Sequence, residues 1–169
     1  MSRSGYTDEC EDPLAYGGYR QAVHNALRGK RGQALLRDLA AALDAMTDKR
    51  LYPGSFATPE GEFCALGALA HHRGILVDDL GDDDDCDPEQ VAERFGIAKA
   101  MAAEIMDMND SYHVSMSTSV DVEICGPMRR NWPDYGEHKR QVEIPNTGHA
   151  EQRWLAMRKW VSDNLRVTA

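Results

Sequence analysis

The chain lacks any long hydrophobic run. No apolar stretch approaches the ~20 residues that a membrane-spanning helix requires. The segment from Met1 to Asp12 carries one arginine and four acids without an apolar stretch, which is unlike a secretory signal. These absences predict a soluble protein of the cytoplasm that has no membrane partner.

Signatures of disulfides, metals and cofactors are also missing. The four cysteines, at positions 10, 64, 86 and 125, form no Cys-x-x-Cys pair, which in a cytosolic protein favours free thiols. No candidate ligands have a recognised zinc spacing, and the adjacent His71 and His72 would point to different faces of a helix. The sequence therefore predicts neither a metal nor a cofactor.

What is present is the composition of one folded domain, 1–169, with 42% apolar and 28% charged residues. Apolar residues recur at spacings of three and four, which predicts a mainly α fold: a compact domain of five or six helices. The predicted helices cover about 14–27, 33–46, 62–73, 88–95, 98–109 and 149–165. Gly29 and Gly32 are interpreted as bracketing a short turn between the first two.

The stretch from 112 to 144 has a different pattern. Apolar and polar residues alternate from Tyr112 to Ile124, and a shorter alternation runs from Arg140 to Ile144. Period two is typical of a half-buried strand. We therefore expect a β-hairpin or ribbon, inserted over 112–144 between the last two helices.

Four sequence blocks stand out: SRSGY at 2–6, RGKRGQ at 28–33, CALGAL at 64–69, and QRW followed by MR.WV at 152–161. Together they resemble small phage- and prophage-encoded proteins of unassigned function. The resemblance covers most of the chain except the ribbon, and its closing helix starts with His149-Ala150 where Thr-Pro is common in those proteins. It implies a phage-borne accessory protein made in an infected bacterium, and it implies no particular activity.

Negative charge is concentrated in the middle of a chain whose net charge is −9. Residues 51–128 hold sixteen acids against three bases, a local balance of −13. Seven carboxylates fall within ten positions, and we call them the acidic segment: Asp78, Asp79, Asp82, Asp83, Asp84, Asp85 and Asp87. Such a surface could imitate the phosphates of nucleic acid and bind a protein partner. The alternative is a solvated loop whose last acids favour the dipole of the next helix.

Positive charge gathers where the first two helices are predicted to meet. Arg28, Lys30 and Arg31, which we call the basic corner, lie beside two glycines, with Arg20 and Arg37 near them. The corner could hold phosphate or nucleic acid. The alternative is a solvated turn, which could pair with the acidic segment of a second copy in a salt-sensitive homo-oligomer.

Two further patterns carry a functional interpretation beside a structural one. Cys64 near the start of an apolar helix is a candidate nucleophile, because the helix dipole can depress a thiol pKa, or else a small core residue. The segment 91–105 fits the apolar pattern of a helix-turn-helix. Its second helix offers Lys99 against Glu104, Asp107 and Asp110, so a packing unit is the favoured interpretation.

The sequence names no reaction, and a binding role is preferred to a catalytic one. The preferred hypothesis is a phage accessory protein that binds a host or phage protein, inhibiting nucleic-acid handling or defence in the manner of an anti-CRISPR protein. Its contacts would come from the acidic segment and the exposed part of the ribbon. The alternatives are a cysteine-dependent enzyme built on Cys64 and a nucleic-acid-binding regulator that uses the basic corner.

Overall fold

A computed structural model of the chain describes residues 13–81, 86–110, 117–123, 139–145 and 148–166. The chain divides into two compact units, Met1–Tyr112 with Ala150–Ala169, and His113–His149. The described residues contain six helices, which confirms the predicted mainly helical fold. They are α1 (Pro13–Arg28), α2 (Lys30–Ala45), α3 (Ala65–Arg73), α4 (Pro88–Phe95), α5 (Lys99–Asp110) and α6 (His149–Asn164). None of the helices in these ranges has the length and apolar character needed to cross a membrane.

The core of the first unit is built around α2 and α3. Helix α2 buries one leucine stripe completely, at Leu35, Leu36, Leu39 and Leu43. In α3, every residue from 65 to 70 is buried, as expected for a helix that is apolar or small all round. Helix α6 adds Met157 and Val161, which are both fully buried, so it packs its inner face onto this core.

The predicted turn between Gly29 and Gly32 is wrong. Helix α2 begins at Lys30, and Gly29 alone separates it from α1. Gly32 lies inside α2, where a Cβ atom would come within 2.0 Å of the Ala26 carbonyl oxygen of α1. Glycine here allows the two helix backbones to approach, so it serves packing rather than a turn.

Helix α3 starts three residues later than predicted. The Thr58 amide donates to the Glu62 carbonyl at 2.8 Å, and Ala57 pairs with Phe63 in an isolated antiparallel bridge. These bonds hold Glu62 in a tight turn before the helix. Cys64 then caps α3, its Sγ accepting a hydrogen bond from the Gly67 amide at 3.3 Å.

Helices α4 and α5 form the packed pair that the apolar pattern predicts. Asp87 caps α4 by accepting from the Glu89 amide at 2.9 Å, and Pro88 occupies its first turn. Gly96 ends the helix in a left-handed conformation, with φ of 67°.

In the second unit, β1 (Ser117–Glu123) and β2 (Lys139–Pro145) form a two-stranded antiparallel sheet. The register pairs Ser117 with Pro145, Val120 with Val142, and Glu123 with Lys139. The strands lie in the segment for which a ribbon was predicted. The rest of the predicted first strand, 112–116 and 124, lies outside the described residues. The prediction of a single domain over 1–169 stays a prediction.

Candidate functional site

The basic corner is formed by the junction of α1 and α2. Arg28 is the last residue of α1, and Lys30 and Arg31 open α2 one residue later. The Gly29 amide donates to the carbonyl oxygens of Asn25 and Ala26, which closes the end of α1 without a connecting loop. All three cationic side chains are exposed at this junction.

The residues of the basic corner differ from most other described cations in that they form no ion pairs. In residues 13–81, 86–110 and 148–166, most cations are held by acids or by backbone carbonyls; Arg20, for example, lies 3.2 Å from Glu104, and Lys99 lies 3.0 Å from Glu89. In these ranges, five cationic side chains make no described ion pair or hydrogen bond: Arg28, Lys30, Arg31, Arg37 and Arg166. The corner therefore retains its full positive charge for an external anion, whereas Arg20, a predicted neighbour, does not contribute.

The exposed face of α2 extends this positive surface. Lys30, Ala34, Arg37 and Ala41 are exposed and recur at helical spacing. Lys30 and Arg37 stand about 10 Å apart along the helix axis, at a rise of about 1.5 Å per residue. Because only Ala34 lies between them on this face, an extended anion can reach both cations without obstruction.

The dipole of α2 acts in the same direction. The first turn of α2 contains no acid, and Gly29 supplies no side-chain cap to its amide groups. The positive end of the α2 dipole thus adds to the charges of Lys30 and Arg31, while the negative end of the α1 dipole, one residue away, acts against it. Lys30 and Arg31 are unfavourable at the N-terminus of α2, whereas Arg28 is favourable at the C-terminal end of α1.

Buried Gln33 fixes the ends of three helices beside the corner. Its Nε2 donates to the Leu27 carbonyl at 2.8 Å and to the Asn164 carbonyl at 2.9 Å. Its Oε1 accepts from the Arg166 amide at 2.8 Å. One amide side chain therefore satisfies carbonyls at the C-terminal ends of α1 and α6, and it places the backbone of Arg166 against the corner. The burial of Gln33 was not predicted, since a glutamine inside an amphipathic helix gives no signal of burial.

The described part of the acidic segment is partly committed to the fold. Asp79 forms a bidentate pair with Arg94, at 2.8 and 2.7 Å, and this pair holds the pKa of Asp79 below its ordinary value. Asp87 caps α4. Asp78 is exposed. The four central members, Asp82–Asp85, lie outside the described residues.

Cys64 lies in a buried polar network rather than in an open cleft. Asn109 accepts from the Ala65 amide at 3.1 Å and donates to the Tyr52 carbonyl at 2.9 Å. Arg153, also buried, donates to the Asn109 carbonyl at 2.7 Å and thereby ties α6 to α5. With its Sγ engaged as a cap and only 9% exposed, Cys64 matches the structural interpretation more closely than that of a nucleophile. The blocks 64–69 and 152–161 of the sequence resemblance meet in this network.

The helix-turn-helix pattern corresponds to α4 and α5. Val91, Phe95, Ile97 and Ile105 are all buried, as a packing unit requires. Lys99 of the second helix is paired with Glu89, which raises the pKa of that lysine. The one cation of the second helix thus has an internal partner, consistent with the packing interpretation.

His71 and His72 line a cleft of about 280 Å³ between α2 and α3. The rings of His71 and Phe63 are tilted by 30° with centroids 5.1 Å apart. Within the described ranges, no three side chains of His, Cys, Asp or Glu lie together as a metal site would require.

Comparisons of the chain with protein-family models, with curated proteins and with solved structures find no match.

Proposed function

We propose that this protein is an accessory factor that acts by binding, and that the basic corner contacts the phosphate backbone of nucleic acid. The observation that carries the proposal is the distribution of ion pairs. The cations without a described partner gather at the corner and its flanks, while Arg20, Arg94 and Lys99 are neutralised within the fold.

Polyanion binding fits the geometry of the corner. Arg28, Lys30, Arg31 and Arg37 line one helix junction and one flat helix face, and the N-terminal dipole of α2 adds to their field. Four phosphate contacts correspond to a slope of log affinity against log salt of about −3.6 for duplex DNA and about −2.8 for single strands. The net charge of −9 opposes nonspecific attraction elsewhere and directs contact to this end.

The sequence resemblance supports a biological setting for the proposal. Small phage-encoded proteins work in the cytoplasm of an infected bacterium, where nucleic acid and its host machinery are both accessible. We infer a role in host nucleic-acid transactions or defence, exerted by occupying nucleic acid rather than by a chemical reaction.

The acidic segment supports a second candidate, binding to a basic protein surface of the host or phage. The specific observation is its charge: residues 51–128 carry a local balance of −13, and Asp78 is exposed. In this alternative, the four central aspartates contact the partner, and the basic corner is solvated or pairs with a second copy.

Fluorescence anisotropy with labelled single-stranded and duplex oligonucleotides tests the proposal. We expect binding at low salt that weakens as salt rises, with a shallower slope in the Lys30→Gln/Arg37→Gln variant by about 0.7 to 0.9 for each lost contact. Lys99→Gln is the matched control, because that lysine is exposed and already paired with Glu89. Its slope should equal that of the parent.

Two results would overturn the proposal. One is an absence of binding to either oligonucleotide at low ionic strength. The other is an equal loss of affinity in the corner variant and in Lys99→Gln, which would indicate diffuse charge rather than a site. Capture of a basic protein that depends on Asp82–Asp85, together with no oligonucleotide binding, would favour the second candidate.

A further inference from the structure

A cleft of about 170 Å³ opens directly beside the basic corner, between the C-terminal ends of α1 and α6. On one side, α1 contributes His24 and Arg28, which are four residues apart and therefore share a helix face. On the other side lies Arg166, just after α6. All three residues are exposed, and neither arginine side chain has a partner among the described residues.

The inner wall of the cleft is formed by the C-terminal ends of two helices. Carbonyl groups at the ends of α1 and α6 give this place a negative potential, which the cations of the cleft must outweigh. Gln33 donates both of its amide protons to two of those carbonyls, at Leu27 and Asn164, and accepts from the Arg166 amide. Two of the backbone carbonyls are thus hydrogen-bonded, and the guanidinium groups of Arg28 and Arg166 add positive charge at the opening.

One acid, Asp163, also lines the cleft. Its carboxylate lies 2.5 Å from the Lys159 ammonium one turn earlier in α6, so that charge is matched locally. Arg28 and Arg166 then outnumber this one acid at the opening. The site has the chemistry of a phosphate receptor, since guanidinium groups bind phosphate oxygens in bidentate fashion.

We propose that this cleft binds a terminal phosphate monoester of a nucleic-acid strand. The inference rests on the proposed function, and it adds recognition of strand ends to backbone contact at the basic corner. A monoester carries a charge of about −1.5 to −2 at pH 7 and three acceptor oxygens, which matches two arginines. A backbone diester carries one charge and must continue in both directions, which suits the open face of α2 better than a cleft between two helix ends.

The test compares oligonucleotides of one sequence that end in hydroxyl, 5′-phosphate or 3′-phosphate. We expect one phosphorylated end to bind at least 5-fold more tightly than the hydroxyl form. Arg166→Gln and His24→Gln should bring that ratio close to one. Arg37→Gln, in contrast, should weaken binding of both forms and leave the ratio unchanged, because it contacts only the backbone.

The outcomes separate the two proposals. Equal binding of all three oligonucleotides by the parent protein overturns end recognition and leaves the basic corner intact. No binding of any oligonucleotide overturns the proposed function itself. Inorganic phosphate should remove the preference more strongly than sodium chloride of equal ionic strength, and equal effects of the two salts would refute a phosphate receptor in the cleft. Thermal melting of each variant checks that the fold is retained.

Discussion

Replacing Gly32 by alanine should destabilise the protein, although alanine is the better helix former. Within α2, alanine would normally add about 0.5 to 1 kcal/mol of stability. At this position, however, the new Cβ would lie 2.0 Å from the Ala26 carbonyl oxygen and 3.1 Å from the Leu27 carbonyl oxygen. Ordinary contact begins near 3.4 Å, and both obstructing atoms belong to the backbone. The end of α1 must therefore move by more than an ångström.

Two costs follow from that movement. Overpacking of this kind costs about 1 to 3 kcal/mol. The bond from Gln33 to the Leu27 carbonyl, at 2.8 Å, is strained or lost, at about 1 kcal/mol. After the helix-propensity gain is subtracted, we expect a net loss of about 1 to 3 kcal/mol. For a chain of 169 residues, each kilocalorie lowers the melting temperature by about 2 to 4 °C.

Urea denaturation followed by circular dichroism measures this difference. Gly17→Ala is the matched control, because Gly17 also lies within a helix and nothing would come within 4 Å of its Cβ. That variant should be more stable than the parent by about 0.5 to 1 kcal/mol. If Gly32→Ala proves as stable as Gly17→Ala, the close approach of α1 and α2 is refuted. Because the same movement displaces Arg28, Gly32→Ala should also weaken oligonucleotide binding.

Three further predictions concern charge and capping. Burial raises the pKa of Glu104 despite the coulombic attraction of Arg20. The contribution of Glu104 to stability is therefore present below its unfolded pKa, and it is lost as the pH rises through its folded pKa. Glu104→Gln should therefore gain stability relative to the parent between acid and neutral pH in urea titrations; a constant difference would contradict the raised pKa. Cys64→Ala should lose about 0.5 to 2 kcal/mol of stability through the missing cap, and Cys64→Ser should lose less. Cys64 of the folded protein should also resist alkylation by iodoacetamide. Rapid alkylation at neutral pH would instead support the nucleophile hypothesis. Lys30→Gln/Arg31→Gln should be more stable than the parent by about 0.3 to 1 kcal/mol per charge at low salt, and its melting temperature should rise accordingly. Its oligonucleotide binding should weaken. A lower melting temperature would contradict the dipole argument.

The helices could be predicted because periodicity reports burial directly. The leucine stripe of α2, the uniformly apolar α3 and the Asp87 and Gly96 caps of α4 all follow from local pattern. The junction of α1 and α2 could not be predicted in this way. The sequence around Gly32 is the same whether this glycine forms a turn or packs against another helix. Only the position of Ala26 decides between the two.

Only the local part of the candidate site could be predicted from the sequence. The sequence places Arg28, Lys30 and Arg31 together, but it does not say which cations the fold neutralises. Arg20 and Glu104 are 84 positions apart, and no spacing rule connects them. Gln33 and Arg166, whose bond shapes the cleft, are separated by 133 positions. Pairing of this range is a property of the packed structure, and it is what distinguishes the basic corner from ordinary surface charge.

The position of these charges argues for function more strongly than their number does. Folding alone favours acids or neutral residues in the first turn of α2, since the dipole there is positive. Lys30 and Arg31 instead add two cations to an uncapped helix start, next to Arg28 and without an acid in that turn. Their unfavourable placement is explained if the missing negative charge is supplied by a ligand, which then stabilises the fold as it binds.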